Sequence, residues 1–287
     1  MESFEGKVAV ITGGASGIGF AMAKRFAAEG MKLVLADIED SALQNAAAEL
    51  TATGAEVLAV RTDVSKFEDI QDLANRAVDR FGKVHIVCNN AGVATGGFLA
   101  EATIRDWQWV VGVNLFGVIN GVQAFLPILL KQGEECHIIN TASIAGLIVG
   151  PGMGIYCATK HAVVALSEAL YHEMKLMKTN IGVSVLCPAW VNTRIVDSDR
   201  NRPASAANAT SELAPMAQMM QGFMRQVVEA GLSPDIIANH VASAIREKRF
   251  YILTHPEMTP AVQMRMDAIV GGSAPHFLPP PGIDKIQ

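Results

Sequence analysis

Cysteine is scarce in this chain: Cys88, Cys136, Cys157 and Cys187 stand alone, with no C-x-x-C pair. The opening residues, MESFEGKVAVITGG, lack the basic stretch, apolar run and cleavage site of an export signal. Isolated thiols without such a signal predict a reducing, cytoplasmic setting rather than a disulfide framework. Cys157 is read as a small buried side chain. The seven histidines show no H-x-x-x-H or similar ligand spacing, so no metal site is expected. Basic clusters are missing as well. The net charge is −5 and the pI about 5.8, which sets nucleic acid and anionic membranes aside as partners.

Charge is also absent locally. Twenty-four residues separate Asp106 from Lys131 without a formal charge, and 22 separate His137 from Lys160. Both lengths would suit a membrane span. Asn114, Asn120, Gln123 and Pro127 interrupt the first, and a proline with several glycines in GLIVGPGMG interrupts the second. Neither is expected to cross a bilayer.

The 287 residues, half of them hydrophobic, can bury a large core. Short apolar runs alternate with stretches of helical spacing. KVAVITGG, KLVLAD, EVLAVRTDV, VHIVCNNAG, HIINTAS, IGVSVLCP and FYILTH read as strands, with helices between them, including a long one through 106–131 and another over 156–175. This rhythm predicts an α/β fold, doubly wound, with a mostly parallel sheet covered by helices on both faces. We read 1–287 as a single domain with a core over about 5–254. A polar loop and a methionine-rich helix over about 190–232 would be a substrate lid or core packing, the stripe being Met216, Met219, Met220, Phe223 and Met224. A C-terminal extension follows over 255–287, and its proline-rich end, HFLPPPGIDKIQ, would be extended or partly disordered.

ITGGASGIG joins the first strand to the first helix, where backbone N–H groups and a helix N-terminus can face a pyrophosphate. Gly13, Gly17 and Gly19 give the spacing G-x-x-x-G-x-G, with Ser16 and Ile18 between them. Asp37 ends the second strand, 18 residues after Gly19. A carboxylate there can accept hydrogen bonds from ribose hydroxyls and would repel a 2′-phosphate. Neither Ser16 nor Ile38 offers a cation to offset that repulsion. NAD is therefore expected over NADP.

The pattern Y-x-x-x-K occurs twice, as Tyr156 with Lys160 and as Tyr171 with Lys175. Four-residue spacing puts each pair on one helix face. Only the first lies at the end of its helix that sits over the carboxyl edge of the strands, where ligands bind in such sheets. Bringing a phenol from about 10 to near 7 needs roughly 4 kcal/mol. A cation about 5 Å away supplies around 3 kcal/mol at an effective dielectric of ~20, and a positive nicotinamide ring would add the rest. Tyr156 could then exchange a proton with an alcohol or ketone oxygen.

TGGASGIG, NNAG at 89–92, Asn114, Ser143 and YCATK, in this order over about residues 5–254, resemble the short-chain dehydrogenase/reductase family. The resemblance implies a seven-stranded Rossmann-like sheet and reversible NAD(P)-dependent oxidation of alcohols. It would make Tyr156 the acid/base, with Lys160 holding the nicotinamide ribose and lowering the tyrosine pKa. Ser143 would bond the substrate oxygen, and Asn114 would anchor a proton-relay water through its helix backbone. Asp63 and Val64 would meet the adenine, Asn90 and Gly92 would line the cleft, and Pro188, Val191 and Thr193 would touch the nicotinamide end. Ala189 replaces the glycine usual after that proline. The chain also lacks the family's common Asp-Gly-Gly ending, which leaves a homodimer and a homotetramer equally open.

The segments VATGGFLA, IAGLIVGPGMG and CPAW carry no charge. Val149, Met153 and Trp190 are therefore expected to line a pocket for an uncharged, bulky secondary alcohol or ketone. A weaker likeness of RNRPA and YILTHPE to bacterial aryl-alcohol dehydrogenases points the same way. The alternatives are a non-catalytic NAD(P)-sensing protein, or an epimerase or dehydratase on the same fold.

Overall fold

The computed structural model describes residues 1–203 and 214–276. Its sheet has seven parallel strands in the order β3-β2-β1-β4-β5-β6-β7. They are β1 Val8–Thr12, β2 Lys32–Asp37, β3 Val57–Arg61, β4 Ile86–Asn89, β5 Cys136–Thr141, β6 Ile181–Cys187 and β7 Tyr251–Leu253. The period of two explains their continuous apolar character. Ala9 and Ile11 of β1, with Leu33 and Leu35 of β2, face a core shared with Met22 and Phe26 of α1 (Gly17–Ala27), Leu43 of α2 (Asp40–Ala52) and Val241 of α8 (Pro234–Glu247). Val8, Val10 and Val34 point the other way. They meet Ile70 and Leu73 of α3 (Phe67–Phe81), together with Phe125 and Leu129 from a later helix. Strands buried on both faces need no polar side, which is why β1 reads VAVIT. Chain order reverses between β1 and β4, and the crevice outside their carboxyl ends is where such sheets bind ligands.

The helix expected over 106–131 runs from Ile104 to Gln132 but is not uniform. It comprises α4 (Ile104–Val111), a π-helical stretch (Gly112–Phe116) and α5 (Gly117–Gln132). A capping box starts it: the Thr103 hydroxyl accepts from the Asp106 N–H, and the Asp106 carboxylate accepts from the Thr103 N–H. The glycines flanking the wide turn permit close approach to the chain after β3, since a Cβ on Gly117 would lie 2.8 Å from Val64 Cγ2. By length and composition this helix could cross a membrane, yet half of its apolar window is buried against α3, β4 and α6 (Gly154–Leu176).

After β6 the chain forms a 3-10 segment, Arg194–Asn201, and then α7 (Ala214–Glu229) and α8. Beyond β7 the chain forms a 3-10 turn, Pro256–Met258, and α9 (Thr259–Gly271). The proline-rich stretch from residue 277 lies outside the described residues, as do the side chains of Met216 and Met220.

Candidate active site

The loop after β1 is shaped by glycines that no other residue could replace cheaply. Gly13 has φ +64° and Gly17 φ +53°, in the left-handed region. A Cβ on Gly19 would sit 2.0 Å from the Gly13 carbonyl oxygen. Gly19 is thus a packing residue that seats α1 against the loop, and it does not line the cavity. No side chain caps α1 at Ser16, so the N–H groups of its first turn remain available to an anion. Thr12 and Asn90 brace the loop from behind. The Thr12 hydroxyl accepts from the N–H groups of Asn90 (2.9 Å) and Ala91 (3.1 Å), and Asn90 Nδ2 donates to the Thr12 carbonyl at 3.0 Å. Thr12 escaped the sequence reading. A polar residue ending an all-apolar strand was the available signal.

At the β2 side of the same cavity, the Asp37 carboxylate accepts from the N–H groups of Ala15 and Glu39, both at 3.1 Å. Burial pushes its carboxyl up, against the pull of those two bonds. Neither Ser16 nor Ile38 brings a cation, but one reaches this edge from far along the chain. Glu39 accepts from Arg200 Nε at 2.8 Å and Asn201 Nδ2 at 2.9 Å, so the 3-10 segment reaches across to this edge. Burial would raise Glu39, but its bonds to Asn201 and Arg200 hold it below the usual carboxylate range. Farther along, Ser198 accepts from the Ala94 N–H at 2.9 Å, and Arg202 pairs with Asp106 while lying over the Trp109 ring at 4.7 Å. The segment is therefore tied to both walls of the cavity.

Ser143, Tyr156 and Lys160 come together where β5, α6 and β6 end. Ser143 precedes a short 3-10 turn; its hydroxyl accepts from the Ala145 N–H, donates to the Pro188 carbonyl at 3.3 Å and bonds the Tyr156 phenol. Lys160 Nζ donates to the Thr141 carbonyl at 2.9 Å and lies 5.6 Å from the Tyr156 ring centre. Burial lowers its ammonium to about 8. The Tyr156 phenol moves opposite to the sequence expectation. Burial pushes it up to about 12, with the Ser143 bond pulling the other way. Enclosure of the phenol outweighs a lysine whose charge is directed at Thr141.

Asn114 sits in the π-helical stretch, fully buried and behind the cavity wall. Its Oδ1 accepts from the Val93 N–H at 2.8 Å, and its Nδ2 donates to the Val93 carbonyl at 2.9 Å and to Thr159 Oγ1 at 3.3 Å. Its side chain fixes the chain beside Gly92 and couples it to α6. The second pair, Tyr171 and Lys175, repeats the local geometry at 5.5 Å. Tyr171, however, packs on Phe250 and lies outside the cavity.

One cavity of about 880 Å³ joins these parts. It is lined by Gly13, Ser16, Gly17, Ile18, Asp37, Asp63, Val64, Asn90 and Gly92 at one end. Ser143, Tyr156, Lys160, Pro188, Val191 and Thr193 follow, and Val149, Met153 and Trp190 lie beyond. Trp190 is held by its main chain: its carbonyl accepts from the Leu232 N–H, and His255 Nε2 lies 3.0 Å from it. Met224, from the methionine stripe read as a lid or core packing, lines the cavity too, and walls not foreseen come from Trp109, from Val228 of α7, and from Met258, Ala261 and Met264 at and within α9. Met219 of the expected methionine stripe is exposed. All four cysteines are free and buried, and no cluster of metal-binding side chains occurs among the described residues.

A family model described as short chain dehydrogenase matches residues 7–204. A CLA biosynthesis dehydrogenase/reductase of Lactiplantibacillus plantarum is 36% identical over 277 residues, 96% of this chain and 97% of its own. A C alpha-dehydrogenase of Sphingobium sp. (strain NBRC 103272 / SYK-6) is 33% identical over 98% of this chain and 91% of its own. Among solved structures, a short chain dehydrogenase/reductase from Burkholderia phymatum in complex with NAD superposes with a TM-score of 0.94. It is 47% identical, over 97% of this chain and 99% of that one.

Proposed function

The chain belongs to the short-chain dehydrogenase family, and from that premise we propose that it interconverts a secondary alcohol and its ketone with NAD. The substrate is bulky and apolar, and uncharged around the reacting carbon. One observation carries this reading: a single cavity holds both the phosphate loop with Asp37 and the Ser143–Tyr156–Lys160 set. The residues present fit a nicotinamide dinucleotide. Left-handed glycines and uncapped N–H groups suit the pyrophosphate, and the half-buried Asp37 carboxylate suits ribose hydroxyls. When bound, that cofactor supplies the hydride acceptor or donor and a positive ring. Tyr156 Oη takes the alcohol proton in oxidation and returns it to the ketone oxygen in reduction. Ser143 orients the same oxygen. Lys160, anchored on Thr141, holds positive charge beside the phenol. The apolar walls at Val149, Met153 and Trp190 exclude water and select an uncharged reacting group.

A thermal-shift titration with NADH and NADPH, followed by a panel of alcohols with NAD, tests this. A ligand of the folded state adds about 2.7 kcal/mol of stability at a hundredfold excess over its Kd. NADH is expected to shift melting strongly and NADPH weakly. Absence of any shift, or of turnover across secondary alcohols, would remove the reading.

The protonation states set a pH prediction. A phenol raised to about 12 is protonated at neutral pH, the form that ketone reduction needs. Oxidation needs the phenolate, whose fraction rises with pH. The kcat/KM for oxidation should therefore climb up to roughly tenfold per unit between about pH 6 and 8, while reduction stays flat. Near 8, where Lys160 loses its proton, the positive charge favouring the phenolate disappears and the oxidation curve should bend. Profiles in both directions check this. An oxidation rate that falls from pH 6 to 8 would contradict it.

A further inference from the structure

The helix α9 places one side of its surface on the cavity. Ala261, Met264, Arg265 and Ala268 line it with the i, i+3, i+4, i+7 spacing of a single helix face. Arg265 is the charged member of that stripe. It is half-buried, and among the described residues its guanidinium makes no hydrogen bond, ion pair or ring contact.

The other charged groups on the cavity wall are already matched. Lys160 is held by Thr141, Arg200 by Glu39 and Arg194 by Asp197. Asp37 accepts two backbone N–H groups, and Asp63 meets Ser65 and Lys66. A cation partly withdrawn from water on a cavity wall shared with Met224, Met264 and Trp190 gains little from such apolar groups. It gains a great deal from an anion delivered to it.

The cofactor's phosphates are poorly placed to be that anion. They belong at the β1 loop, whereas α9 follows β7 at the far edge of the sheet. Four strand spacings separate β1 from β7, about 19 Å at roughly 4.8 Å each. The other occupant of the cavity can supply that anion.

We propose that the substrate carries a carboxylate remote from its reacting hydroxyl, separated from it by an apolar body, and that Arg265 binds that carboxylate. The substrate class is thus a hydroxy acid or keto acid with a long or bulky hydrocarbon framework. This rests on the dehydrogenase reading above. It departs from the expectation of a wholly uncharged substrate, which was drawn from segments that exclude α9.

The test uses full-length protein saturated with NADH and two pairs of probes, one flexible and one rigid. These are dodecanoate against 1-dodecanol, and adamantane-1-carboxylate against 1-adamantanol, each titrated by thermal shift. In the wild type at least one acid should bind about ten- to a hundredfold more tightly than its alcohol, the range of a charge-assisted contact. Arg265→Gln should abolish the difference, and Arg265→Lys should keep most of it. The proposal is overturned if acids and alcohols bind alike, if the difference survives in Arg265→Gln, or if that variant loses affinity for NADH and so assigns the guanidinium to the cofactor. Failure of the dehydrogenase reading shows differently, as a wild type that turns over no alcohol, neutral or acidic, with NAD.

Discussion

Replacing Tyr156 by Phe is expected to lower kcat/KM for alcohol oxidation by about 10²- to 10⁴-fold while changing NADH affinity less than about threefold. The substitution removes one oxygen and keeps the ring, so the wall between Ser143 and Lys160 is preserved. Ser143 retains its bonds to Ala145 and Pro188, and Lys160 retains Thr141. What disappears is the only phenol in the cavity among the described residues. Tyr171→Phe is the matched comparison. Lys175 stands 5.5 Å from that ring, almost the distance from Lys160 to Tyr156, yet Tyr171 packs on Phe250 away from the cavity. It should leave turnover within about twofold, as a surface-side change remote from the chemistry does. Equal losses in both variants, or none in either, would mean that this tyrosine is not the proton-transfer group. Steady-state kinetics in both directions with separate NADH titrations decide the matter.

The sheet was legible because its determinants are local. Apolar runs buried on both faces alternate with helical stretches, and the loop glycines sit where a strand meets a helix. The placement of Tyr156, and not Tyr171, on the cavity was legible too, since helix polarity follows from alternation. What escaped depends on long-range meetings. Glu39 and Arg200 are 161 residues apart, and neither has a pattern that announces the other. The π-helical turn around Asn114 reflects the approach of Gly117 to Val64, which only the folded packing sets. The sign of the Tyr156 shift was missed because a pairwise charge estimate omits the cost of enclosing the phenol. The helix α9 was missed for a different reason. Apolar residues lie all around it, with Ile269 and Val270 exposed and Ala268 buried, so no amphipathic stripe marks it in the sequence.

Cofactor choice provides the second large effect. Asp37→Asn is expected to narrow the NAD-to-NADP ratio of kcat/KM by about 20- to 250-fold. One unit of charge about 5 Å from a 2′-phosphate is worth about 1.7 to 3.3 kcal/mol at effective dielectrics of ~40 to ~20. Activity with NAD should fall as well. The carboxylate accepts from both Ala15 and Glu39 N–H groups, whereas an amide can turn only its oxygen to one of them and opposes the other with its own donors. The variant should therefore lose preference without becoming a good NADP enzyme. Glu39 supplies the remaining obstacle and also holds the guanidinium of Arg200. Adding Glu39→Gln removes a second negative charge and weakens the hold on Arg200, which lines the same edge. The double variant should then gain about a further tenfold in kcat/KM with NADP, by more than the two single effects combined, because the two residues are in direct contact. A ratio unmoved by Asp37→Asn would show that the β2 carboxylate does not set the preference. Strict additivity in the double variant would show that Arg200 does not reach the phosphate.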